Sequence, residues 1–212
     1  MRLIANKTER RNGFTTLELL VASMLGSIVL LGLHSFTQTQ LKSLQSQAVQ
    51  LNVQSTARSV LEVIARDIRR GGLDPTCAKT FEGLAVAKTN ELRLLSDLDG
   101  SGAIDSGEED ITYRYNYYNN SVERVSANAT PSSLMQNVDT SGSTVRYFDG
   151  AGNELLPGSI GLTAGQRALV RRVRIELALS EPGRAFGQRM RAQVASDVDM
   201  RNRYFLADTR CP

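Results

Sequence analysis

The stretch FTTLELLVASMLGSIVLLGL, residues 14–33, constrains this chain more than any other. It holds about 20 mostly apolar residues, which as a helix cover the roughly 30 Å of a bilayer core. Basic residues flank it only on the N-terminal side, so Met1 is expected in the cytoplasm and the chain after His34 in the opposite compartment. A carboxylate, Glu18, lies inside the run. Insertion scales set the cost of a charged residue in mid-span at about 2.5–3.5 kcal/mol, so such a group is expected to have a partner and a function.

Charge placement removes one attractive reading. The 212 residues carry a formal net charge of +3 and a pI near 9.0, which suggests a nucleic-acid partner. Arg2, Lys7, Arg10 and Arg11 against Glu9 account for all of it, and the chain beyond Gly13 is neutral by formal count. Nucleic acid is therefore not an expected partner. A secretory signal peptide would need a small-x-small cleavage site after the run, but LLGLHSFTQTQ follows instead and the helical pattern continues. A plain signal anchor fits the length and leaves Glu18 unexplained.

Arg10-Arg11-Asn12-Gly13 followed by Phe14-Thr15-Thr16-Leu17-Glu18 resembles the processing site of type IV prepilins. The resemblance implies cleavage after Gly13 by a prepilin peptidase, N-methylation of Phe14, and a requirement for Glu18 in assembly. By charge logic, the new ammonium at Phe14 and a neighbour's Glu18 carboxylate would neutralise each other in an apolar environment. Many major pilins carry a helix-kinking proline where this chain has Ser35, and no proline precedes Pro75. That departure favours minor pilins and pseudopilins over major ones.

The helical spacing continues past the apolar run through Leu41, Leu44, Ala48 and Leu51, then Val53, Ala57, Val60 or Leu61, Ile64 and Ile68. Arg69-Arg70-Gly71-Gly72 reads as a helix terminus. One helix from Phe14 to Arg70 would be roughly 85 Å long. From about Thr80 the period becomes two, over residues 91–95, 111–117, 121–125, 144–148 and 170–177, with a turn cluster at 149–153. A long helix packed on an antiparallel sheet is the expected fold, α+β. The expected organisation is a leader at 1–13, a membrane half-helix at 14–33, a second half-helix at 34–72 and a β-rich head at 73–212. The patterns EEDITYRY, VERV, VRYFDGAGNEL and RRVRIELAL, after the long helix, also resemble the PilW group of minor pilins, related to the J-type minor pseudopilins of type II secretion.

A second chemical signal lies between two predicted strands. Asp97-Leu98-Asp99-Gly100-Ser101-Gly102-Ala103-Ile104-Asp105-Ser106-Gly107-Glu108 follows the ligand register of a twelve-residue EF-hand calcium loop. Asp97, Asp99 and Ser101 would offer side-chain oxygens, Ala103 its carbonyl, Asp105 a direct or water-bridged contact and Glu108 a bidentate carboxylate, with Gly102 at the sharp turn. The acids from Asp97 to Asp110 have no basic residue among them, a repulsion that calcium would relieve. The flanks read as strands, so a calcium loop grafted into a sheet is expected.

The chain has two cysteines, Cys77 and Cys211, and beyond the cytoplasmic membrane an isolated pair is expected to be a disulfide. No nucleophile–base constellation and no phosphate-binding glycine loop are present, so an enzyme is not expected. Arginines crowd the chain after Gly165, among them Arg167, Arg171, Arg172, Arg174, Arg184, Arg189 and Arg191. They read first as the wet face of strands whose Val173, Ile175 and Leu177 turn inward. The combined expectation is a structural minor pilin that helps initiate or cap a filament. It would sit in the inner membrane with its head in the periplasm before reaching the cell surface, and its partners would be other minor pilins and the major pilin. A type II secretion pseudopilin, or a tip adhesin or DNA-uptake subunit, are the alternatives.

Overall fold

The computed structural model describes residues 13–77, 80–182 and 189–203. The chain divides into two compact units, Met1–Gln45 and Ser46–Pro212, and the boundary falls inside one helix, α1 (Thr16–Arg70). The long helix expected from residue spacing is therefore present, and the compact second unit begins within it.

In the first unit Thr15 caps the helix, its hydroxyl accepting the Glu18 N–H at 3.2 Å. Every described residue from Gly13 to Gln45 is exposed, large apolar side chains included. Hydroxyls that would otherwise be unpaired in this stretch bond one turn back: Ser23 to the Leu20 carbonyl, Ser27 to Ser23 and Thr37 to Leu33, each at 2.8 Å. Among the described residues this is the one helix long and apolar enough to cross a membrane.

In the second unit α1 turns amphipathic. Ala57, Val60, Leu61, Ile64, Ala65 and Ile68 are buried, a stripe at helical spacing. Each large aliphatic side chain there is worth roughly 1.5–3 kcal/mol relative to exposure. The helix stops where Gly72 adopts φ +80°, a conformation costly for residues with a Cβ. Asn202 Nδ2 donates to the carbonyls of Arg69 and Arg70 at 3.0 and 2.9 Å, satisfying the helix end.

Two antiparallel sheets complete the unit. The first has the order β1 (Leu84–Ala87), β2 (Glu91–Leu95), β3 (Asp110–Asn116), β4 (Ser121–Ser126), β5 (Ser132–Met135). The second runs β7 (Glu154–Leu155), β6 (Thr144–Phe148), β8 (Arg172–Pro182), β9 (Arg189–Asp199). A bridge between Val138 and Leu179 links the chain after β5 to β8. The helix stripe and the inward residues of both sheets, among them Leu92, Tyr113, Tyr147, Ile175 and Leu177, form one core. A short helix, α2 (Ala164–Leu169), starts on a capping box between Thr163 and Gln166. The architecture is α+β, as periodicity indicates.

Candidate functional sites: the N-terminal span and the acidic loop

At the N-terminus, Phe14 is exposed and Glu18 stands exposed in the first turn of α1. Residues 1–12, including Arg10, Arg11 and Asn12, lie outside the described residues. The Thr15 cap gives Glu18 a local role that the sequence reading missed. Thr15-x-x-Glu18 has capping-box spacing, and an acid in the first turn favours the helix dipole. Glu18 therefore helps start the helix while it remains available to a neighbour.

The acidic loop joins β2 to β3, whose registers pair Leu95 with Asp110. Asp97 is fully buried and organises the turn: its Oδ1 accepts Gly100 N–H at 2.7 Å and Ser101 N–H at 3.2 Å, and its Oδ2 accepts Gly102 N–H at 2.9 Å. Gly100 and Gly102 both have φ +79°, so the expected glycine at the sharp turn is where the backbone needs it. Thr80 Oγ1 donates to the Gly102 carbonyl at 2.8 Å from outside the loop.

The carboxylate that turns into the loop is not the one read from the spacing. Glu108 points outward, its side chain 68% exposed, and meets Arg124 Nη2 at 2.7 Å. The Arg124 hydrogen bond holds the Glu108 carboxyl below its ordinary range. Glu109, 1% exposed, turns into the loop instead. Its Oε1 accepts Leu98 N–H at 2.7 Å and Asp99 N–H at 3.4 Å, and its Oε2 accepts Asp105 N–H and Ser106 N–H at 3.1 Å each. These bonds, that of Leu98 foremost, hold Glu109 down to about 2 against the opposing effect of burial. The reason is strand parity. Ile111, Tyr113 and Tyr115 are the buried positions of β3, and continuing that alternation backward selects Glu109 and puts Glu108 outside.

Asp97, Asp99 and Glu109 bring one carboxylate oxygen each within 4.8 Å of one another. A calcium-sized cation bound at about 2.3–2.6 Å tolerates oxygen–oxygen separations up to about 5 Å, so this all-oxygen set fits a hard divalent ion. Of the other expected ligands, the Ser101 hydroxyl donates to the Ala103 carbonyl at 3.4 Å, which ties both oxygens together within the loop. Asp105 is exposed, and its carboxyl is raised above its ordinary value chiefly by the charge of Asp99.

The loop is wired to the helix. Arg124, which holds Glu108, also lies 3.7 Å from Asp67 of α1, and Asp67 accepts the Tyr113 hydroxyl at 2.5 Å. Burial and the Asp67 hydrogen bond push the Tyr113 phenol well above its usual value.

Elsewhere several arginines of the run after Gly165 are paired in place. Arg172 meets Asp199, Arg174 meets Glu176, and Arg167 meets Glu82, while Val173, Ile175 and Leu177 are buried beneath. Arg184 lies outside the described residues. Among the described residues no cysteine is a free thiol. Cys77 has φ +58°, and Cys211 lies outside the described residues.

No family model, no curated protein and no solved structure matches this chain.

Proposed function

We propose that this chain is a membrane-anchored structural subunit of the minor type IV pilin kind, cut after Gly13 and assembled into a filament through its N-terminal helix. The observation that carries this reading is the unbroken helix Thr16–Arg70, whose exposed apolar first half carries Glu18 at the fifth position after the Gly of Arg10-Arg11-Asn12-Gly13. The long helix on antiparallel sheets supports a pilin-like architecture, and the PilW-like strand patterns support a place among the minor pilins that start or cap a filament. Prepilin peptidase, other minor pilins and the major pilin are its expected partners. A pseudopilin of type II secretion shares every one of these features and is separated by genetic context. Calcium is the ion proposed for the acidic loop, held by Asp97, Asp99 and Glu109, and a disulfide is proposed between Cys77 and Cys211.

The deciding experiment is the intact mass of the full chain from cells with and without the prepilin peptidase. The expected product is a peptidase-dependent chain beginning at methylated Phe14. An uncleaved chain, or one cut after Leu33, overturns the reading.

A further inference from the structure

β9 is the outermost strand of the second sheet, and among the described residues nothing pairs with its outer side. Its ladder with β8 is continuous from Arg172↔Asp199 to Pro182↔Arg189, with no register shift, and β9 itself contains no proline. An exposed edge this long is normally shortened, bulged or covered, because it templates pairing with another strand.

Which backbone groups face outward follows from the hydrogen bonds. Ala178 O accepts from Asp139 N–H at 2.8 Å and Ser180 N–H donates to Asn137 O at 3.0 Å, so the even-numbered residues of β8 face away from β9. The odd-numbered ones therefore bond the even-numbered residues of β9, in line with Met200 N–H donating to Arg171 O at 2.8 Å. Arg191, Gln193, Ala195 and Asp197 are left with N–H and C=O on the open side.

The charges along this edge are antisymmetric about Val194. Arg191 stands on one side and Asp197 at the same distance on the other, and the pattern repeats at positions 189, also an arginine, and 199, an aspartate. On the outer face an alternating row crosses the sheet from Glu154 through Arg146, Glu176 and Arg174 to Asp197, where it ends at the edge. The place beyond Asp197 calls for a cation.

We infer that the β9 edge is a homotypic docking surface, where two copies of this chain pair β9 to β9 antiparallel about a two-fold axis through Val194. In that register Arg191 lies opposite Asp197 of the second copy, and both have outward backbone groups, so each such pair exchanges two backbone hydrogen bonds. The charge row then runs on across the junction. Half-buried Ala192 and Val194, packed against the core from the edge, gain cover from the second copy. Shifting the register by two residues in either direction removes Arg191 from Asp197.

The test uses the full chain in detergent, by density-matched sedimentation equilibrium and by oxidative cross-linking. At the two-fold, Val194 faces its own copy as a non-hydrogen-bonded pair with Cα atoms about 4.5 Å apart, within disulfide range. Val194→Cys should give a covalent dimer above the background of the unaltered chain, and Ser196→Cys should not. Arg191→Asp should weaken the dimer on the order of tenfold, and adding Asp197→Arg in the same chain should restore it. A chain that stays monomeric at all concentrations overturns the inference. So does equal cross-linking at 194 and 196, or a charge reversal that the second reversal fails to rescue. A monomer that dimerises only after residues 204–212 are removed overturns it in favour of the chain's own tail as the occupant.

Discussion

Replacing Tyr113 by Phe tests how the helix is held to the sheets. The Tyr113 hydroxyl donates to Asp67 at 2.5 Å, and both residues are buried, at 4% and 8% exposure. The other charged neighbour, Arg124 Nε, is 3.7 Å away and engages mainly Glu108. Deleting the hydroxyl leaves the Asp67 carboxylate buried with one distant cation. A hydrogen bond to a charged acceptor is worth about 1.5–3 kcal/mol, and the phenylalanine ring fills the same space, so that is the expected loss for Tyr113→Phe. For a head of this size the loss lowers the melting temperature by about 3–12 °C. Asp67→Ala should cost at least as much, and the double variant less than the sum, with a coupling of about 1–2 kcal/mol. The assay is thermal unfolding of the full chain in detergent, followed by near-ultraviolet circular dichroism. With no tryptophan in the chain, that signal comes largely from the six tyrosines. A Tyr113→Phe chain melting with the parent, or strictly additive losses, would refute the argument that this bond anchors the helix.

Other expectations are as direct. Burial raises the phenols of Tyr113, Tyr115 and Tyr147 above their ordinary value. Their folded values lie above the unfolded one near 10, so the stability they supply is complete below about pH 10 and is lost as the pH rises; an absorbance titration should show three tyrosines ionising only with unfolding. Calorimetry should detect calcium binding by the parent and by Glu108→Gln, and none by an Asp97→Ala, Glu109→Gln chain; silence in the parent rejects the ion, and loss with Glu108→Gln alone rejects Glu109 as the closing ligand. Glu123 is held below its ordinary range by Asn116 and then Arg114. Its contribution should be complete above about pH 4.3 and fall away in acid, a trend that Glu123→Gln should flatten in urea melts. Thiol labelling of the denatured, non-reduced chain should find no reactive cysteine, and two labelled thiols would reject the disulfide.

The parts of the fold legible in the sequence are those where one period dominates. Glu91–Leu95 and Thr144–Phe148 alternate large apolar residues with polar ones, and they are strands with those same bounds. The stripe Ala57 to Ile68 predicts a buried helix face and is one. β9 escaped notice because its inward positions include Ala192 and Ser196, too small or too polar to mark a period against Arg191, Gln193 and Asp197. The strand owes its place to the ladder with β8, a long-range pairing that local spacing does not encode. β5 and β7 have four and two residues, too few to set a period, although each pairs with the strand just before it in the chain.

The acidic loop shows the same division at a single residue. Ligand spacing counted from Asp97 ends on Glu108, whereas strand alternation counted back from Tyr113 ends on Glu109. The two patterns conflict by one residue, and the strand prevails because its side-chain alternation is fixed by hydrogen bonds to β2 and β4. Moving Glu108 inward would send Ile111, Tyr113 and Tyr115 to solvent. Those three buried side chains outweigh any preference of one loop carboxylate. What remains outside, Glu108, is taken by Arg124, the arginine that also faces Asp67 and the Tyr113 hydroxyl. Glu108, turned out of the loop, thus joins it to the helix, and a motif read from spacing alone misses both the inward carboxylate and the link.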